Sequence, residues 1–276
     1  MAPPSATRRP DDTEPAHLRD PADQPFTIDR YAVSDDLLPL ARRFWIPVWD
    51  VPAGAQSTQR VLQYPVSLIV ISETYARFYG VVSGLSATTL EGQGWGLGLM
   101  LQPAAGALLT GRRAREATDR DIDVADVPGL SGIRPELVRE LMRPSPRDEQ
   151  ARAAARAHVE DALRPHLPVD EEGQLVNAIV EDVEGSPELL RVDELCARFD
   201  IAERTLQRLL HKRLGIGPKW LIRRRRLQEA ADRLRDTGAE LAGIAAELGY
   251  ADQAHFTRDF RKATGITPGE FAARFR

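Results

Sequence analysis

Residues 247–268 read "ELGYADQAHFTRDFRKATGITP". From Asp252 onward the apolar residues fall at helical spacing: Phe256 and Phe260 share one face, and Gln253, Thr257, Arg258 and Arg261 share the other. Upstream, Ile244, Ala245 and Leu248 give the inner face of a shorter helix. Gly249 stands between the two, where a backbone turn with positive φ favours glycine. Asp252 is placed to cap the second helix through its carboxylate. The spacing predicts a helix, a sharp turn and a second helix. It leaves a polar face that no core requires.

A looser copy, "VDELCARFDIAERTLQRLLHKRLGIGP", occupies residues 192–218. Leu195 and Phe199 face inward on a first helix that ends near Phe199. A turn follows through Asp200, Ile201 and Ala202, and a second helix runs over about 203–213 and stops at Gly215. Leu206, Leu209 and Leu210, with Arg213 or Leu214, form its apolar stripe and leave Arg204, Gln207, Arg208 and His211 opposite. At an offset of fifty, Arg208 aligns with Arg258, Lys212 with Lys262, Gly215 with Gly265 and Pro218 with Pro268.

A helix that enters the DNA major groove needs this division. One face holds it to its domain; the other carries side chains that reach base edges. Arg bonds guanine O6 and N7 in bidentate fashion, and Gln does the same with adenine N6 and N7. Flanking Arg and Lys supply phosphate contacts. Between the copies, "GPKWLIRRRRLQEAADRLRD" (217–236) carries an apolar stripe of Trp220, Leu221, Leu227, Ala230, Ala231 and Leu234. A helix over 219–235 spans ~25 Å at about 1.5 Å per residue. With the width of the two units added, it sets the outer helices roughly one DNA turn, ~34 Å, apart. The run 223–226 is four arginines that cover all sides of a helix, so one or two are expected at phosphate and Arg226 in local packing. The expected phosphate contacts are His211, Lys212, Arg223, Arg224, Arg261 and Lys262.

Charge supports the division. The 276-residue chain has a formal charge of −4, but residues 186–276 hold 18 Lys and Arg against 13 Asp and Glu, and all three lysines. That part is basic and the rest acidic, as expected of a polyanion-binding module joined to something with another task. A lone cysteine, Cys196, rules out an intrachain disulfide and suits a reducing cytoplasm, where the chain is expected at the nucleoid. No apolar run approaches the ~20 residues of a membrane span, so no membrane partner is expected.

Residues 1–25, rich in Pro, Asp and Arg, read as a disordered leader. Residues 26–147 read as a β-rich domain: "RRFWIPVWDV" (42–51), "QRVLQYP" (59–65), "VSLIVISE" (66–73), "YARFYGVV" (75–82) and the glycine-rich "LEGQGWGLGLMLQPAAG" (90–106) suggest a small barrel or sandwich. Residues 148–185 read as a helical linker. Ala151, Ala155, Val159 and Ala162 form one stripe; Leu175, Val176, Ile179, Val180 and Val183 form another. Each stripe needs a partner, either the chain's own sensor domain or a second copy. From 186 on, helix is expected throughout, with Pro187 in a first turn.

Over about residues 189–276 the sequence resembles the AraC/XylS family of bacterial transcription regulators. The carriers are "TLQRLL…LGIGP", "RLQEAADRL", "IAAELGY" and "DQAHFTRDFRKATGITP". The resemblance implies an all-α, seven-helix DNA-binding domain with two helix-turn-helix units. Its base-reading positions match Arg204, Gln207 and Arg208 in the first unit, and Gln253, Ala254, Thr257 and Arg258 in the second. Ala202 and Ala251 stand where the family commonly has serine, and Asp200 replaces a turn glycine. The N-terminal part resembles the sensor region of an uncharacterised branch of that family, cupin-like in its barrel; the carriers are "RRFWIPVWDVPAG" (42–54), "LQYPVSLIVI" (62–71), "LEGQGWGLGLMLQPAAG" (90–106) and "KWLIRRRRLQEAA" (219–231). The expected architecture is therefore α+β and multidomain: a leader (1–25), a β-barrel sensor (26–147), a helical linker that is a candidate dimerisation segment (148–185) and a double helix-turn-helix domain (186–276).

The expected function is sequence-specific regulation of transcription on double-stranded DNA, gated by a small molecule or partner at the N-terminal domain. The chain is expected to act as a homodimer, and with RNA polymerase where it activates. The competing reading is a barrel that only dimerises and binds no ligand. A cupin-like enzyme is disfavoured because none of the five histidines (His17, His158, His166, His211, His255) lies within 26–150, so no metal or other cofactor is expected. If an effector pocket exists, Trp45, Tyr64, Tyr79 and Trp95 are its expected aromatic lining, with Gln63 and Arg77 as polar anchors.

Overall fold

The structure is a computed structural model that describes residues 16–18, 26–236 and 240–275. Eight strands come first: β1 (Phe26–Ala32), β2 (Ala41–Asp50), β3 (Ser57–Val61), β4 (Leu68–Ser72), β5 (Ala76–Tyr79), β6 (Ser86–Leu90), β7 (Gln93–Leu101) and β8 (Asp121–Asp123). Six of them form an antiparallel sheet in the order β1-β2-β7-β4-β5-β8, and β3 pairs with β6 in a separate two-stranded ribbon. The strand-rich domain is as expected, but the sheet does not close into a barrel: among the described residues β1 and β8 are its edges.

Alternation sorts the large sheet into two faces. Phe44, Ile46 and Val48 of β2, Ile69 and Ile71 of β4, Phe78 of β5 and Trp95, Leu97 and Leu99 of β7 point into the core. On the other face, Trp45 and Trp49 lie directly over Gly98 and Gly94 of the neighbouring strand. A Cβ at Gly98 would come within 2.1 Å of the Trp45 ring, and one at Gly94 within 2.5 Å of Trp49. The period-two glycines of the "GQGWGLGL" stretch thus provide a flat bed for two indoles.

Helices α1 (Ala105–Thr110), α2 (Pro135–Met142) and α3 (Glu149–Leu163) complete this domain. Ala155, Val159 and Leu163 of α3 join the sheet's core. Helix α4 (Glu171–Gly185) instead turns Val176, Ile179, Val180 and Val183 into a second core, shared with the helical half of the chain. Of the two stripes assigned to the linker, Ala155, Val159, Val176, Ile179, Val180 and Val183 pack within this chain, while Ala151, Ala162 and Leu175 are half-buried.

The remaining helices are α5 (Val192–Phe199), α6 (Glu203–Leu214), α7 (Pro218–Arg233), α8 (Leu241–Glu247), α9 (Gln253–Thr264) and α10 (Pro268–Ala273). Residues 186–191 are not helical, so Pro187 opens no helix. Helix α7 serves two cores. Leu221 and Ile222 near its start pack with Leu195, Leu206, Leu209, Leu210 and Leu214; Leu227, Ala230, Ala231 and Leu234 near its end pack with Ile244, Leu248, Phe256, Phe260 and Phe271.

The expected leader is only partly described, and what is described is not loose. His17 bridges Val61, Leu18 donates its N–H to Arg60 O at 2.8 Å, and Leu18 is buried in the core of α8 and α9. Residues 1–15 and 19–25 lie outside the described residues.

Candidate nucleic-acid interface

Each helix pair is bent by one left-handed residue: Asp200 (φ 48°) between α5 and α6, and Gly249 (φ 70°) between α8 and α9. Asp tolerates that region better than most residues, which is why the first turn forms without glycine. Each second helix is twelve residues long and ends on a left-handed glycine, Gly215 or Gly265. The N-termini differ as the sequence implies. Ala202 makes no side-chain cap, whereas Asp252 accepts from His255 N at 2.6 Å.

The two outward faces are intact. Arg204, Gln207 and Arg208 on α6 are exposed; so are Gln253, Ala254 and Arg258 on α9, while Thr257 is half-buried. Behind them Leu206, Leu210, Phe256 and Phe260 are fully buried. The helices are therefore held by apolar contacts and free on the side that carries Arg and Gln. Gln207 donates to Glu203 at 2.9 Å, which fixes its rotamer along the helix.

The expected phosphate contacts divide. Arg261, Lys262 and His211 are exposed, and a ring nitrogen of His211 lies 2.7 Å from Gln207 O. Lys212 is exposed but paired with Glu172 of α4. Arg223 is half-buried and bonded to Asp259 at 2.8 Å. Arg224 is a correction: it is only 4% exposed, and its Nη2 donates to the carbonyls of Ser83 and Gly84. Its neighbours are internal too: Arg225 donates to Leu189 O at 2.8 Å, and Arg226 stacks over Tyr250 at 4.0 Å. The four-arginine run mainly clamps α7 in place. A run of one charge does not reveal which carbonyls will surround it.

Sequence reasoning missed the residues that join the two halves. Arg213 pairs with Asp170 and Glu172 at the start of α4. Trp220 Nε1 donates to Ser83 O at 3.2 Å, and Gln228 to Leu62 O at 2.6 Å. A Cβ at Gly215 would meet the backbone of Arg115 at 2.9 Å. No local pattern marks such contacts, because each partner is distant in sequence.

The expected effector pocket is not assembled. Trp45, Tyr64 and Tyr79 do gather, with Val66, Leu68 and Met100, on the outer face of the large sheet. Burial, and then Tyr75, push the Tyr79 hydroxyl up to about 12. Trp95, however, lies in the core on the opposite face. Arg77 is engaged with Asp121 at 3.4 Å, and Gln63 is half-buried. Burial also raises the Cys196 thiol, the opposite of an activated nucleophile.

Residues 195–274 match a family described as "Helix-turn-helix domain". This region is a double helix-turn-helix domain of the AraC/XylS type. Residues 29–123 match a domain of unknown function, DUF6597. The AraC/XylS-type region is 38% identical over 74 residues to the HTH-type transcriptional activator RhaS of Pectobacterium carotovorum, which covers 27% of this chain and 26% of that one. To RhaR of Cronobacter sakazakii it is 31% identical over 77 residues, covering 28% and 27%. The match thus spans about a quarter of the length of these relatives. ToxT of Vibrio cholerae overlays 91% of this chain and 97% of its own at 12% identity and a TM-score of 0.39, too loosely to carry an argument.

Proposed function

We propose that the chain is a sequence-specific, DNA-binding transcription regulator without enzymatic activity. One observation carries this reading: a single polypeptide braces two helices on α7, buries their apolar faces and leaves Arg208 and Arg258, with their Gln neighbours, exposed. Arg204, Gln207, Arg208, Gln253, Ala254, Thr257 and Arg258 read bases in successive major grooves, and His211, Lys212, Arg261 and Lys262 hold phosphate. Arg223 contributes to phosphate only from a side chain already shared with Asp259.

The N-terminal domain gates this activity. It grips α7 through Ser83, Gly84 and Leu62, and the linker helix α4 that follows it grips α6 through Asp170 and Glu172, so its state is mechanically tied to both units. A small molecule or a partner that loosens or tightens the grip changes DNA affinity. The active form is a homodimer whose contact lies off the buried stripes of α3 and α4. It works in the cytoplasm at the nucleoid, with RNA polymerase where it activates. Selection of bound duplexes from a random pool tests the reading. We expect one enriched motif with two half-sites about one helical turn apart. A pool that stays random ends it.

A further inference from the structure

One loop of the N-terminal domain runs against the charge of its surroundings. Outside the helix-turn-helix region the chain is acidic, yet "GRRAREATDR" (111–120), between α1 and β8, carries Arg112, Arg113, Arg115 and Arg120. All four are exposed. Arg77, Arg156 and Arg164 of the same domain are answered by Asp121, Glu149 and Asp36. The guanidinium groups of Arg112, Arg113 and Arg115 make no ion pair or hydrogen bond among the described residues. The loop's own Asp119 is occupied by the N–H and hydroxyl of Ser83, at 2.7 and 2.6 Å. Position gives the run a use. A Cβ at Gly215 would stand 2.9 Å from the backbone of Arg115 and 2.2 Å from Thr118 Oγ1, so the loop abuts the C-terminal end of α6. Gly215 lies ~10 Å beyond Arg208 along the helix axis. The major groove is about 12 Å wide, so a helix that holds Arg208 over the bases brings its last turn to the phosphate wall. Free cations are scarce in that turn, because Lys212 is paired with Glu172 and Arg213 with Asp170.

We propose that Arg112, Arg113 and Arg115 form a further DNA contact, on the N-terminal domain itself, that binds backbone phosphates flanking the half-site of the first unit. The inference rests on the reading of the chain as a DNA-binding regulator, and it extends the contact surface beyond both helix-turn-helix units. Guanidinium forks match phosphate oxygens in bidentate geometry. Phosphate contacts carry no base preference, so the loop adds affinity and orients the N-terminal domain on the duplex without changing the sequence that is read. Asp119 ties the loop to Ser83, and Ser83 O accepts from Trp220 and Arg224 of α7, so the fold fixes the loop relative to the first unit.

Binding of the full chain to the selected duplex, followed by fluorescence anisotropy over a series of chloride concentrations, tests this. The triple variant Arg112→Gln, Arg113→Gln, Arg115→Gln should bind tenfold or more weakly at low salt. Its slope of log affinity against log salt should be shallower by about 1 for each phosphate lost. Trimming the duplex flush with the first unit's half-site should weaken the native chain and leave the triple variant unchanged. The bases selected should stay the same. A control with Arg134→Gln and Arg143→Gln, which removes exposed arginines elsewhere on the domain, should keep the native slope. An unchanged slope in the triple variant, a deficit that persists on the trimmed duplex, or an equal change in the control overturns the proposal. So does native DNA affinity with a lowered urea midpoint, because the arginines then only offset the negative end of α6. Native affinity with loss of activated transcription overturns it too, because the surface then serves RNA polymerase. If the native chain selects no sequence, the regulator reading fails on its own, and the same comparison of slopes on a duplex of mixed sequence still decides the loop.

Discussion

The two helix-turn-helix units have the same outline and different supports. The first buries leucines: Leu206, Leu209, Leu210 and Leu214 pack against Leu195 and the valines of α4. The second packs a chain of rings, Tyr250, Phe256, Phe260 and Phe271 buried and Phe275 half-buried, with neighbouring centroids 5.2–5.8 Å apart. The first turns on Asp200 and lacks a cap; the second turns on Gly249 and is capped by Asp252. The first is held by carboxylates of α4, the second by Leu18 and Leu62 of the N-terminal part. The repeat therefore fixes spacing and outward chemistry, while the core behind each helix is filled by whatever lies nearby.

If the cores are as separate as they look, Phe260→Ala should cost about 3–5 kcal/mol. The loss should unprotect amides of α8–α10 before those of α5 and α6 in hydrogen exchange. Simultaneous loss in both units would mean that α7 transmits the damage and that they form one cooperative block.

Next in size is the outward face. Arg208→Ala and Arg258→Ala should each cost about 1–3 kcal/mol of specific binding, concentrated at particular bases of the selected site. An equal loss on unrelated duplexes would make either residue a phosphate contact, and the units would then differ in function as well as support.

The glycines that end α6 and α9 sharpen the contrast. Gly265 has open space where a Cβ would stand, so Gly265→Ala should cost only the left-handed backbone term, about 1–2 kcal/mol. Gly215 has the same conformation and also abuts the Arg115 backbone. Gly215→Ala should therefore lose more and expose residues 112–118 to limited proteolysis. Equal losses in urea melts would deny the contact.

Capping comes next. Asp252→Ala should destabilise the second unit by about 1 kcal/mol, and Ala202→Ser should stabilise the first by a similar amount, both read in urea midpoints. If Ala202→Ser brings nothing, the N-terminus of α6 is satisfied in some other way.

The smallest effect is the hold on α6. The Lys212 ammonium, against the opposing effect of burial, and then the Arg213 guanidinium keep the Glu172 carboxyl below the usual carboxylate range. A lowered acid contributes fully above its unfolded pKa, about 4.3, and loses that contribution as pH falls through the lower folded value. Urea midpoints should thus differ between the native chain and Glu172→Gln by less than about 1 kcal/mol at pH 7. The two should begin to converge as pH falls below about 4.3. A difference that does not shrink at any pH below that value would show that the contact is not ionic.

Much of the candidate interface was legible in the residues. Helical spacing placed Phe256 and Phe260 against Arg258, and the offset of fifty found the second copy, because a repeated amphipathic helix needs only local order to be seen. The sheet was less so. Strand content was readable, but Trp45 and Trp95 looked alike until register put one on a bed of glycine and the other in the core. The run 223–226 misled for a related reason: whether an arginine meets phosphate or a carbonyl depends on which loop the fold brings to it.

By itself, then, the sequence determined the two helices with exposed Arg and Gln, their turns and the strut between them. Those depend on residues within a few helical turns of one another. Only the tertiary structure decided that the sheet stays open, that Leu18 is buried beneath the second unit and that Arg224 donates to the carbonyls of Ser83 and Gly84. These contacts join residues far apart along the chain. Their energy comes from burial and from matching distant donors to acceptors, and no local pattern records that.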